Sequence, residues 1–334
     1  MSTSPTTAFL IYGATGYTGR IACNYANSLG LNFVIAGRTQ DKTIRLASSL
    51  TVPYRIFSID DADVVVSALK GIRVLLNCAG PFTHTAKVFM DACTQMGVHY
   101  LDISAELDVF QLADVRSEDA VRANVMLMPG CGGSVAMLGC LVGNIIEKCE
   151  SPTRVDVALH VAGSMSRGSA ITSTENLTTD CFQRLQGSLV PQNISCTKDF
   201  DFSDGRGKTA CFPITLPDLI TIWKSTGIAN ISTFVHASDT AFPTGDLSLL
   251  PDGPSAEQRL ANPYHAAADL TEADGTVRRA VLHTVNGYTF TPVASVEAVR
   301  RVLDGQFRPG FQTPADVFGS GFVETIAGSS IKHL

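Results

Sequence analysis

Gly13, Gly16 and Gly19 recur at every third position in the run GATGYTG. Each answers a separate physical need in a phosphate-binding loop. Gly13 permits a sharp turn from strand to helix, Gly16 lets the backbone approach a pyrophosphate, and Gly19 lets the helix pack closely on the strand. The helix that follows presents unpaired N–H groups and the positive end of its dipole to an anion. Thr15, Tyr17 and Thr18 fall within the same loop and count as cofactor-binding positions. A glycine triplet alone is a weak signal, and a degenerate loop kept for packing is the alternative. Here the triplet sits between an apolar strand and an amphipathic helix, the context that makes a dinucleotide site the better reading.

The end of the second strand selects the dinucleotide. NAD enzymes place Asp or Glu there to bond the ribose 2′-hydroxyl. This chain reads Ala36-Gly37-Arg38-Thr39, with no carboxylate. The planar Arg38 guanidinium suits a 2′-phosphate or the face of adenine, and Thr39 and Lys42 can assist. The expected cofactor is therefore NADP(H), with a surface role for Arg38 as the alternative. Asp60, near the end of the third strand, is placed at the adenine end. The fourth strand runs into Cys78-Ala79-Gly80-Pro81, whose turn can pass under the cofactor's ribose and phosphate.

Hydride transfer demands orientation more than side-chain catalysis, since the cofactor carries the reactive atom. A proton donor is a further need, and no pattern names it: Tyr12, Tyr17, Tyr25 and Tyr100 all lack a lysine four residues on. The candidates at the strand ends are His84, Tyr100 and Cys131, with Asp102 beside them, and His160 and Arg167 stand further along. His84 opens a helix, where the dipole favours neutral imidazole. Cys131 lies among glycines near a helix start, which favours a thiolate, with a buried inert thiol as the alternative. Ser104 and Glu106 read equally well as helix caps.

The elements that must position these residues alternate. Strands are expected at Ala8–Tyr12, FVIAG, YRIFSI, RVLLNC, HYLDI and NVMLM. Between them come helices, one carrying Ile21, Tyr25 and Leu29 on a single face, another capped by Thr39, and later ones at Thr85–Met96 and Leu107–Ala123. Near-continuous apolar strands fit a parallel sheet covered on both faces. The fold class is α/β, a Rossmann-type doubly wound sheet. After a helix at Ser134–Cys149 the rhythm becomes β-rich. A helix is expected at Ile171–Leu185, a loop at Phe242–Pro263, a hairpin turn at Asn286–Gly287 and a last helix at Ala294–Leu303. The expected domains are residues 1–150, an α+β domain over 151–291, and a tail over 292–334 that packs back on the first.

The 334 residues carry a net charge of −6 without a basic cluster, which argues against nucleic acid as a partner. Nine scattered cysteines form no CxxC pair and no Cys/His group with metal-ligand spacing, so no metal is expected. The N-terminus lacks a signal peptide's basic region and the longest apolar stretch is too short for a membrane span, so a cytoplasmic location is expected. A small-molecule substrate is the expected partner, and a homodimer is compatible with the sequence.

The chain resembles the saccharopine dehydrogenase-like oxidoreductases, including the branch of trans-acting enoyl reductases. The residues that carry this are GATGYTG, AGR at Ala36–Arg38, NCAGPF at Asn77–Phe82, YLDISAE at Tyr100–Glu106, PGCGG at Pro129–Gly133, and GYTFT with GFQTPADVFG near the C-terminus. The middle, about Gly168 to Asp274, carries little of it. The resemblance implies a Rossmann domain with an inserted α+β substrate domain and a returning C-terminal segment. It also implies NADP(H)-dependent reduction of a C=C, C=O or C=N bond, and in the trans-acting branch a partner synthase. One departure stands out: family members often carry carboxylates after the PG turn, whereas this chain reads GCGGSVAMLG. A non-redox cofactor-binding protein, or a lyase, isomerase or cyclase on the same fold, is the alternative.

Overall fold

Strands buried along their whole length form the centre of the first sheet of the computed structural model, which describes residues 9–176, 180–238 and 246–334. The chain begins β1 (Phe9–Tyr12), α1 (Tyr17–Ser28), β2 (Phe33–Gly37), α2 (Gln40–Leu50), β3 (Tyr54–Ile56), α3 (Ala62–Ala68) and β4 (Val74–Asn77). It continues α4 (Phe82–Met96), β5 (His99–Asp102), α5 (Leu107–Val115), α6 (Ser117–Arg122) and β6 (Met126–Met128). All pairings are parallel, in the order β3-β2-β1-β4-β5-β6, which is that of a dinucleotide-binding Rossmann sheet. A seventh strand, named β15 below, lies beside β6. Ala8 of the expected first strand lies outside the described residues.

The later elements are α7 (Ser134–Ile146), β7 (Pro152–Val161), α8 (Arg167–Asn176), β8 (Phe182–Leu185), β9 (Ser188–Pro191), β10 (Lys198–Asp201) and β11 (Lys208–Pro213). Then come α9 (Asp218–Thr226), β12 (Asn230–Ala237), α10 (Ala256–Ala261), β13 (Tyr264–Glu272), β14 (Val277–Thr284), α11 (Gly287–Leu303), β15 (Gly310–Phe311), α12 (Pro314–Phe318) and β16 (Ser330–His333). A mixed sheet runs β10-β11-β12-β7-β13-β14-β16, with β8 and β9 attached to β12. Helix α7, almost wholly apolar, packs on β13 and β14. The β10–β11 hairpin folds over part of the sheet, where Phe200, Phe202 and Cys211 join Ala158, Phe234, Ala267 and Val281 in one buried cluster.

Two compact units emerge. The first comprises Met1–Ser104, Asp108–Gly132 and Thr291–Gln312; the second comprises Ala105–Leu107, Gly133–Phe290 and Thr313–Leu334. The chain leaves the first unit at Gly132 rather than near residue 150, because α7 packs with the second sheet. The tail divides: β15 joins the parallel sheet and β16 pairs with β14.

Several local expectations are corrected. Asn286–Gly287 is no hairpin turn. The buried Asn286 donates to the Asn262 carbonyl at 2.7 Å, its own side-chain oxygen accepts from the Tyr288 N–H, and α11 starts at Gly287. A Cβ on Gly287 would stand 2.5 Å from the Tyr264 ring, so close packing and not turn geometry requires the glycine. The β13–β14 hairpin turns instead at Asp274–Gly275, where Gly275 has φ +87° and the Asp274 carboxylate accepts from the Thr276 N–H. The helix expected over Ile171–Leu185 ends at Asn176, and its last four residues form β8. Its middle, and part of the Phe242–Pro263 loop, lie outside the described residues. The Leu107–Ala123 stretch divides into α5 and α6 at Arg116, the Ser134–Cys149 helix stops at Ile146, and the last helix begins at residue 287 rather than 294.

Candidate dinucleotide-binding site

The glycine loop is a cradle with no room for side chains. Gly13 has φ +74°, and a Cβ there would lie 2.8 Å from the Ala79 nitrogen and the Cys78 carbonyl carbon. The first and fourth strand-end loops therefore touch through backbone. A Cβ on Gly19 would stand 2.3 Å from the Gly13 oxygen, and one on Gly16 would stand 3.2 Å from it. The Gly16 N–H donates to Gly13 O at 3.0 Å and closes the turn. Gly16 is also the N-cap of α1 and brings no side chain to cap it. The positive end of the α1 dipole thus opens behind a glycine cap, the arrangement that suits a pyrophosphate.

Arg38 is exposed immediately past β2 and makes no ion pair among the described residues. Thr39 is the N-cap residue of α2, but its side chain makes no capping bond, contrary to the expected role. Asp60, exposed after β3, accepts from the Ser58 hydroxyl at 2.5 Å. Arg38 and Asp60 both act on the hydroxyl of Tyr12. Burial raises the Tyr12 pKa, Arg38 lowers it and Asp60 raises it, so a cation and an anion flank the end of the first three strands. Gly80 and Pro81 follow Ala79, joined by a cis peptide.

A buried polar network ties the fourth, fifth and sixth strand ends together. The Asn77 amide donates to Thr85 Oγ1 at 2.9 Å and its oxygen accepts from the Ala79 N–H at 3.0 Å, while Thr85 Oγ1 donates to the Ala79 carbonyl. Tyr100 Oη donates to Asp102 Oδ2 at 2.6 Å. The other Asp102 oxygen accepts from the Ser104 N–H, the Ser104 hydroxyl and the Gly130 N–H, at 2.9, 2.7 and 2.8 Å. Burial raises the Asp102 pKa and these donors oppose it. Asp102 is thus the hub that fixes the loop after β6, a role that its place in YLDIS did not disclose.

Comparison with known proteins agrees with this geometry. Residues 9–128 match the family model described as the saccharopine dehydrogenase NADP-binding domain. Apart from Ala105–Leu107, the matched residues lie in the first unit. A Mycobacterium tuberculosis protein provisionally named a trans-acting enoyl reductase is 24% identical over 131 residues, which cover 37% of this chain and 31% of the relative. The chain thus matches less than a third of the length of that relative. Among solved structures, saccharopine dehydrogenase (L-Glu forming) from Saccharomyces cerevisiae has a TM-score of 0.68 at 12% identity, covering 98% of this chain and 100% of that one. Homospermidine synthase from Legionella pneumophila, solved with NAD, has a TM-score of 0.65 at 12% identity, covering 98% and 91%. Both likenesses concern the fold.

Within the first unit the proton-donor candidates are placed unequally. Tyr100 is wholly buried, and burial with the neighbouring Asp102 pushes its hydroxyl well above the ordinary range. Cys131 is also wholly buried. Burial lifts its thiol well above its usual value despite a Ser295 hydrogen bond, so desolvation outweighs the expected preference for thiolate. Cys78 is raised in the same way. His84, on the first turn of α4, is exposed. In the second unit, Arg167 bonds to the Leu250 carbonyl and pairs with Asp252 at 3.5 Å.

Proposed function

We propose that the chain is an NADPH-dependent oxidoreductase that delivers hydride to a C=C, C=O or C=N bond of a small or medium apolar organic substrate. The observation that carries this is the side-chain-free cradle at Gly13, Gly16 and Gly19 packed on Cys78–Ala79, with Arg38 where NAD enzymes place a carboxylate. In this reading the cradle and the α1 N-terminus hold the pyrophosphate, Arg38 and Thr39 hold the 2′-phosphate, and Asp60 stands at the adenine side. Bound NADPH supplies the hydride. The network from Asn77 to Asp102 holds the strand-end loops against that cofactor. His84, the exposed candidate, serves as the proton donor, while Tyr100 and Cys131 act as positioning residues. The resemblance to a trans-acting reductase makes a partner synthase part of this proposal, and nine unpaired cysteines suit a reducing, cytoplasmic setting.

Fluorescence titration of the full chain with NADPH and NADH tests the reading. NADPH is expected to bind at least about tenfold more tightly, and Arg38→Ala to erase most of that difference through loss of a charge-assisted contact. Equal binding of both dinucleotides by the unaltered chain overturns the cofactor choice. A non-redox role draws support from the burial of Tyr100 and Cys131, which takes two of the three proton-donor candidates away from substrate. Product formation indifferent to the cofactor's oxidation state would select it.

A further inference from the structure

Strand register places four of the chain's seven histidines in one row across the second sheet. His236 of β12 pairs with His160 of β7, His160 with His265 of β13, and His265 with His283 of β14. Paired residues share a face, so the four rings stand side by side. Ring centroids are 5.2 Å apart for His160–His236, 5.5 Å for His160–His265 and 4.8 Å for His265–His283. The same face is layered along its strands. Lys198 bridges Asp156 and Asp269 toward one end, the apolar cluster around Ala158 and Ala267 fills the middle, and the histidines follow. Such a row is costly to bury without a partner for its nitrogens.

The turn between β10 and β11 supplies the remaining groups. Asp204 brings a carboxylate so that its oxygen and one nitrogen each from His160 and His265 all lie within 4.8 Å of one another. Arg206 on the same turn places Nη2 at 2.8 Å from His160 Nδ1 and 2.6 Å from Asp204 Oδ2. The same Nη2 lies 3.2 Å from His160 Nε2, and because arginine only donates, the His160 nitrogen that accepts from it offers a lone pair to the cluster. His265 Nδ1 lies 3.2 Å from His160 Nδ1. Two nitrogens each about 2.0–2.1 Å from a tetrahedral zinc ion stand about 3.3 Å apart. The outer histidines are oriented as supporting groups. His236 donates from Nδ1 to the Ala210 carbonyl at 3.1 Å, and His283 from Nε2 to the Phe202 carbonyl at 2.7 Å.

We propose that His160, His265 and Asp204 bind a divalent transition metal, zinc by the nature of the donor set, at a site that the Arg206 guanidinium guards. Two imidazoles and one carboxylate suit zinc better than calcium or magnesium, which prefer oxygen alone. The fourth position goes to water or to a flanking histidine. Arg206 is displaceable. Its side chain is half exposed, and it is flanked by Gly205 and Gly207, both at positive φ with open space around them. The bound ion would pin the β10–β11 turn to β7 and β13. Sequence spacing could not show this, because the three ligands are 44 and 61 residues apart along the chain.

The full chain, with the exposed Cys196 changed to serine, is freed of metal and titrated with Zn2+ by calorimetry and with Co2+ by visible absorption at neutral pH. One Zn2+ per chain is expected. The Co2+ spectrum should show the d–d bands of a four-coordinate site without the charge-transfer band of a thiolate ligand. His265→Ala and Asp204→Asn should each weaken Zn2+ by about 100-fold or more, since even outer groups around a metal are worth 10- to 100-fold. Arg206→Ala should tighten it. Circular dichroism identifies any variant that has failed to fold, and Asp204→Asn, on a turn, serves if His265→Ala does so. Binding that is absent, that shows the thiolate band, or that is unchanged in folded Asp204→Asn overturns the site and leaves an internal ion-pair cluster.

Discussion

At the residue scale, the glycines of the cradle are set by distance and by φ. Gly19 has no freedom to accept a side chain, with its notional Cβ 2.3 Å from Gly13 O. Gly19→Ala should destabilise the chain by about 1–3 kcal/mol through overpacking and reduce NADPH affinity at least about tenfold. Urea unfolding and fluorescence titration would check both, and an unimpaired variant would contradict the cradle. Asp218 raises a separate residue-scale question. It is fully buried on the first turn of α9, and burial lifts its pKa from 3.8 to about 7, opposed by its own backbone N–H and by the Ser134 hydroxyl. A raised acid favours the folded state while protonated. Its contribution is fully present below pH 3.8, declines as pH rises, and is gone above about 7. Asp218→Asn should therefore stabilise the chain at pH 8 by on the order of 3 kcal/mol and do little at pH 4. Equal effects at both pH values would refute the assignment.

At the scale of elements, what positions the site is the tie between strand ends. The Asp102 carboxylate gathers four donors at the end of β5, one of them the Gly130 N–H of the loop after β6, while its backbone carbonyl accepts from the Cys131 N–H of that loop. Asp102→Asn keeps the volume but points an amide at those donors, and should cost about 2–3 kcal/mol. A loss below about 0.5 kcal/mol in denaturant unfolding would show that the loop is held elsewhere. The periodic elements of the first unit were legible in the sequence because its central strands β1 and β2 are apolar throughout and the helices α1 and α2 that follow them are amphipathic. Asn286–Gly287 was misleading for a physical reason. The dipeptide suits a two-residue turn, yet long-range contacts with Asn262 and Tyr264 turned it into a helix start.

At the scale of the whole molecule, pH exposes a second linkage of opposite sign. His99 is nearly buried, accepts from the Met126 N–H at 3.1 Å through Nδ1, and is held down to about 4 by burial and by Arg73. A depressed histidine stabilises the fold while neutral. That contribution is present above the unfolded value of 6.5 and is lost as pH falls through about 4. His99→Asn keeps an acceptor without the titration. It should flatten the acid limb of the stability curve by on the order of 3 kcal/mol between pH 7 and pH 4. An acid limb as steep as that of the unaltered chain would exclude His99 as its source. No described helix is long and apolar enough to cross a membrane.

The sequence by itself determined the dinucleotide cradle and the Rossmann sheet, because both arise from local spacing: glycines at three-residue intervals, apolar runs, and Arg38 in place of a carboxylate. Tertiary structure alone decided which strand-end groups are reachable. Tyr100 and Cys131 look alike in sequence to exposed donors, but neighbouring strands and loops bury both. It also decided the histidine row, since the pairings of His160 with His236 and with His265 join strands 76 and 105 residues apart, distances over which local pattern carries no information.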